Sequence, residues 1–98
     1  MAMETLSESL RRLTASGYRD QYRAERSGLK RVSDGTVHPP ESFQVDEVVR
    51  FEGESDPSDE SAVFAISAGG RKGTYTVAFG SLMDPLDAEM VRRLRSDA

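Results

Sequence analysis

Carboxylates crowd one stretch of this chain, where Glu52, Glu54, Asp56, Asp59 and Glu60 fall between positions 52 and 60. Oxygen ligands at that density are what a hard cation such as calcium or magnesium takes. The spacing argues against it. In a calcium loop starting at Glu52 the third and fifth positions are acidic, but the sixth, where the sharp turn needs glycine, is Pro57. Asp56-Pro57-Ser58-Asp59 suits a type I turn instead, with proline at its second position. Neither a metal nor another cofactor is expected. The carboxylates Glu52, Asp56 and Asp59 remain candidates for contacting a ligand or partner.

Three cations join them as candidate binding residues. Arg50 stands among carboxylates in an otherwise apolar strand pattern, so it can either anchor an acidic ligand or pair with Asp46 or Glu52. Arg71 and Lys72 lie in Gly69-Gly70-Arg71-Lys72-Gly73. Successive glycines can aim backbone amides at an anion. Here the phosphate-loop spacing is missing and no helix follows, so a hairpin tip is the simpler reading. Catalysis has little to work with. His38 is the single histidine and precedes two prolines, cysteine is absent, and nothing marks a nucleophile elbow. No catalytic residue is assigned, and an enzyme is not expected.

Charge is unevenly spread. The net charge is −4 over 98 residues, yet positions 11–31 carry seven basic groups against Asp20 and Glu25, and positions 32–60 carry nine acids against Arg50. Two such segments can steer a partner, or they can pair with each other within the fold. Tyr18 and Tyr22 interleave with arginines, as in single-strand binders. The alternation sets the tyrosines and most arginines on opposite faces, and the net charge is negative, so nucleic acid is an improbable partner. No apolar run reaches the ~20 residues of a membrane span. The N-terminal stretch reads as a helix rather than a leader, and a cysteine-free chain fits the cytoplasm.

These side chains need elements to hold them. Thr5-Leu6-Ser7-Glu8 is a capping box, and Leu6, Leu10 and Leu13 form one apolar stripe, so a helix runs over about 6–16 until Gly17 stops it. Tyr18–Glu25 alternates as a strand, Ser27-Gly28 reads as a bulge, and Asp34-Gly35 as a tight hairpin with a return strand at Thr36–His38. Pro40–Phe43 makes one helical turn. Val45–Glu52, with Val49 and Phe51 on one face and Val48 and Arg50 on the other, pairs antiparallel with Ala62–Ser67. Thr74–Phe79 follows. Asp84-Pro85 opens a second helix whose stripe is Leu86, Met90 and Leu94. The expected fold is α+β: one domain over 1–98, an antiparallel sheet of four to five strands near 18–26, 29–38, 45–52, 62–68 and 73–80, and helices near 6–16 and 85–95 packed on one face.

Several short motifs run in a familiar order. They are Leu6-Ser7-Glu8-Ser9-Leu10, Gly17-Tyr18, Pro40-Glu41-Ser42-Phe43, Arg50-Phe51-Glu52-Gly53, Asp56-Pro57-Ser58-Asp59-Glu60-Ser61, Phe64-Ala65-Ile66-Ser67 and Lys72-Gly73. In this series the chain resembles a family of short bacterial proteins whose members often carry the label phosphoribosylpyrophosphate synthetase, with Phe64 where the family has tyrosine. The resemblance covers about residues 5–80 and supports the fold. Synthetase activity is not expected, because the true synthetase is a much longer two-domain enzyme and this chain shows no βαβ unit.

The expected function is a non-catalytic interaction or regulatory module. It would bind a protein partner, or itself as a homodimer, through an open sheet face or an edge strand. The alternative is a small-molecule binder or minor enzyme for a phosphorylated ligand, using Arg50, Arg71 and Lys72. A pocket lined by Arg50 and Phe51 would favour the second reading, and a flat polar sheet face the first.

Overall fold

In the computed structural model, residues 5–51, 61–78 and 83–95 are described. The first helix, α1 (Leu6–Ala15), begins at the capping box. The Glu8 amide donates to the Thr5 hydroxyl at 3.1 Å, and the Thr5 amide donates to the Glu8 carboxylate at 2.8 Å. It ends because Gly17 adopts a φ of 105°. That turn lets the Tyr18 amide reach back to the Leu13 carbonyl at 2.9 Å, with the two side chains in one apolar cluster.

Six strands follow: β1 (Asp20–Glu25), β2 (Gly28–Arg31), β3 (Val37–His38), β4 (Gln44–Phe51), β5 (Ser61–Ala68) and β6 (Arg71–Ala78). A 3₁₀ turn at Pro40–Ser42 precedes β4, and α2 (Pro85–Arg95) follows β6. Ser27-Gly28 is not a bulge. Glu25 pairs with Gly28, so the chain reverses in a tight hairpin there. Gly28 is required by close approach, since a Cβ on it would lie 2.2 Å from the His38 carbonyl oxygen on β3. At Asp34-Gly35 only the glycine takes positive φ, at 76°, while the Asp34 carboxylate accepts the Thr36 amide at 3.0 Å to close the turn.

The strand order is β3-β2-β1-β6-β5-β4. The α+β class holds, but the sheet is mixed and six-stranded rather than antiparallel with four or five strands. Two antiparallel meanders, β1-β2-β3 and β4-β5-β6, meet where β1 runs parallel to β6 (Asp20 beside Gly73, Gln21 beside Thr74, Tyr22 beside Tyr75). Gly73 permits that seam, because a Cβ there would lie 2.6 Å from the Asp20 carbonyl oxygen and 2.5 Å from the Tyr22 ring. Local turn signals specify hairpins. They say nothing about which hairpins lie side by side, which is why the parallel pair escapes them.

The helices cover opposite faces, not one. Ala62, Phe64 and Ile66 of β5 join Met90, Val91 and Leu94 of α2, together with Tyr22, Leu29, Phe43, Tyr75 and Val77. The intervening Val63 and Ala65 join Leu13 of α1, with Leu10, Tyr18 and Phe51 at the margin. The physical reason lies in β5, where every residue from Ala62 to Ile66 is buried. A strand that is apolar on both sides needs cover on both. Tyr18 accordingly sits on the α1 side, apart from Tyr22.

Two polar clamps fix α2. The buried Tyr75 hydroxyl donates to the Asp87 carboxylate, and burial together with that carboxylate pushes the phenol well above the usual tyrosine range. Arg93 grips Glu41 with two hydrogen bonds of 2.7 and 2.6 Å, tying the helix to the 3₁₀ turn. No helix among the described residues is long and apolar enough to cross a membrane.

Candidate interaction surface

Strand register sorts the candidate residues between the two sheet faces. Arg50 is exposed opposite Ala62, on the α2 side, while Phe51 lies on the α1 side against the Leu13 cluster. They leave β4 in opposite directions. Asp46, one of Arg50's expected partners, accepts the Tyr18 hydroxyl at 2.8 Å, and this bond raises the Tyr18 pKa. Asp46 falls where β4 slips register between Val45 and Glu47. Glu47 is bound by Arg12 of α1 at 2.8 Å. Glu52, Asp56 and Asp59 lie outside the described residues.

Arg71 and Lys72 are adjacent in sequence and engaged in different places. Arg71 donates to Asp20 from Nε at 3.0 Å and Nη2 at 3.2 Å. Asp20 also faces Arg31 Nε at 3.6 Å, and Arg31 donates to Asp34 at 2.9 Å. The Arg31 side chain is only 9% exposed and lies against the Tyr22 ring. This chain of charges runs from β6 across β1 and β2 to the Asp34 turn, so it clamps the parallel seam from below. Its arginines and aspartates balance one another, and that leaves no excess charge to hold an anion. The Asp34 carboxyl is held down to about 2 by the Thr36 amide and hydroxyl and then by Arg31.

Lys72 stands in a row with Ser67 and Gln44, which register places side by side across β6, β5 and β4. Its ammonium lies 5.2 Å from the centre of the Tyr18 ring. With Ser42 and the Gly69-Gly70 turn, the row borders a shallow cleft of about 410 Å³. Both glycines have positive φ, 57° and 81°, as a tight two-residue hairpin demands. Among the described residues no group of three or more His, Asp or Glu side chains converges on a point that could hold a metal.

A further uncovered area among the described residues is one the residue types did not single out. On its face of the sheet α1 packs against β5 and β6, reaching β4 through Arg12. The same face of β1, β2 and β3 carries no helix among the described residues. Register places Arg23 beside Lys30 and Lys30 beside Val37, and the Val32 amide continues the ladder to the Gln21 carbonyl at 2.8 Å. Leu10 of α1, Gln21, Arg23, Val32, Thr74 and Thr76 surround an open hollow of about 370 Å³ there. Val32 is 48% exposed, Val37 38% and Leu6, at the start of the α1 stripe, 36%. A signal was present in the sequence: Val32 and Val37 flank the Asp34-Gly35 turn, where apolar residues at a hairpin tip have little core to enter.

Compared with known proteins, the chain matches no family model, no curated protein and no solved structure.

Proposed function

We propose that this protein is a non-catalytic interaction module whose working surface is the open part of the α1 side of the sheet. The observation that carries this reading is a pair of exposed valines, Val32 beside the hollow and Val37 next to Lys30, on a sheet face that one helix among the described residues covers only in part. Isolated surface valines need no explanation, but clustered ones beside an open hollow suit a protein contact. We assign it to the cytoplasm on its cysteine-free composition.

A photo-crosslinking side chain placed at Val32, compared with one at the exposed Arg92 of α2, tests the proposal in the cell of origin. Discrete adducts from position 32 and none from position 92 are expected. Equal labelling from both, or none from either, overturns the reading. An adduct of twice the chain mass identifies a homodimer.

A second reading is favoured by one observation, the Gln44–Ser67–Lys72 row. An amide, a hydroxyl and an ammonium on one shelf suit a phosphorylated small molecule. A thermal-shift screen with sugar phosphates and nucleotides tests it. Stabilisation that Lys72→Met removes supports it, and no stabilisation by any of them ends it.

A further inference from the structure

Resting on the interaction reading, we infer that the open part of the sheet is the seat of an acidic amphipathic helix supplied by a partner protein. The space is the right size. Neighbouring strands lie ~4.8 Å apart and packed helices 8–10 Å apart, so the three strands beyond α1 can take one more helix alongside it. The flank of α1 that borders this space is suited to close packing. Arg12 points the other way, to Glu47 on β4. On the opposite flank stand Ser7, Leu10 and Thr14, at i, i+3 and i+7, two of them small.

The floor sets the chemistry of the occupant. Val32, Val37 and Leu10 offer apolar contact. Arg23 and Lys30 sit side by side in its middle. Glu25, on the same face, approaches Lys30 at 3.6 Å, but both side chains of that pair are more than 40% exposed, so it is weak and easily exchanged. Two cations against one carboxylate leave the floor positive. A second copy laid face to face would set Arg23 and Lys30 against their own counterparts, and like charges across an interface suppress that pairing. A helix with an apolar stripe between rows of glutamate matches both the valines and the cations.

The probe is a synthetic amphipathic peptide of ~15 residues, near the length at which an isolated helix becomes marginally stable. It carries a leucine stripe flanked by glutamates, and a twin carries lysines in their place. NMR of the full chain follows the amides of Gln21, Arg23, Lys30 and Val32. The acidic peptide should shift these amides saturably and the lysine twin should not. Arg23→Glu combined with Lys30→Glu should weaken the acidic peptide about tenfold or more, roughly 1.4 kcal/mol per factor of ten, and admit the twin. Raising the ionic strength of the unaltered protein should weaken binding as well, a measurement that needs no variant. Equal binding of the two peptides, no shift at these amides, or a single-stranded oligonucleotide producing the same shifts overturns the inference. The two readings fail separately. If adducts at position 32 persist in the charge-reversed variant, the interaction module stands and the acidic helix falls. If no adducts form at all, both fall.

Discussion

Arg31 backs the seam between the two meanders from β2, through the Asp20 that Arg71 of β6 also grips. Its guanidinium is nearly buried, faces Asp20 and Asp34, and lies against Tyr22. Replacing it with leucine keeps the contact with the Tyr22 ring but strips Asp34 of its cation and leaves Asp20 to Arg71 alone. Breaking a buried pair from one side costs more than the pair itself is worth, and we expect Arg31→Leu to lose about 2–4 kcal/mol in urea unfolding. The Asp34 carboxyl gives the same network a dependence on acid. Its folded pKa is about 2 against an ordinary 3.8, so its contribution is fully present above the ordinary value and is lost as pH falls through about 2. Stability measured across that interval should drop for the native chain and drop less for Asp34→Asn. Sequence made Asp34 legible as a turn residue, because its bond to Thr36 spans two positions. It did not reveal Arg31, whose role depends on Asp20 in a different strand. The cations Arg23 and Lys30 were hidden in the same way, whereas Val32 and Val37 were marked only by their place beside the Asp34-Gly35 turn. Each is ordinary alone, and only register across three strands brings them together.

Among the elements, β6 is the most constrained, because it serves as the junction. Gly73→Ala places a methyl within 2.6 Å of the Asp20 backbone carbonyl. A backbone atom cannot step aside as a side-chain tip can, so the strands must part. We expect a loss of about 2–3 kcal/mol by chemical denaturation, although alanine is the better residue for an unconstrained strand. A Gly69→Asn change at the hairpin tip, where a Cβ meets nothing within 4 Å, should cost far less. The helix caps were readable beforehand from Thr5, Glu8, Gly17 and Asp84, since their hydrogen bonds close within a few residues, whereas the Ser27-Gly28 hairpin was read as a bulge. The parallel pairing was not readable, because Gly73 reads as part of a flexible tip until Asp20 is seen beside it.

At the scale of the whole molecule the sheet is a partition between two apolar clusters. Leu13 belongs to one and Met90 to the other. Truncating either to alanine should cost about 2–4 kcal/mol. Because the two residues lie in separate clusters, the double variant should lose the sum of the two to within about 0.5 kcal/mol. Marked coupling would mean that the helices share a core after all. The uninterrupted apolar run Ala62–Ile66 was the visible sign of two-sided burial, and alternation in the neighbouring strands outweighed it. That partition also explains why part of one sheet face carries no helix among the described residues. The α2 side closes around Phe43 and Tyr75, whereas among the described residues the α1 side has one helix for six strands.

The order β3-β2-β1-β6-β5-β4 has a kinetic consequence. All strand pairings but one join segments near in sequence, and the exception brings together positions about fifty apart through three residue pairs. The smaller meander can therefore detach while the larger keeps its ladder, a sub-global opening below the full unfolding free energy. Native-state hydrogen exchange should find the amides of β1 and β2 opening at lower denaturant than those between β5 and β6. One common opening free energy for all strands would refute this. A helix seated on the smaller meander would add its binding free energy to that opening as well as to global unfolding, so occupancy would be read as slowed exchange in β1 and β2.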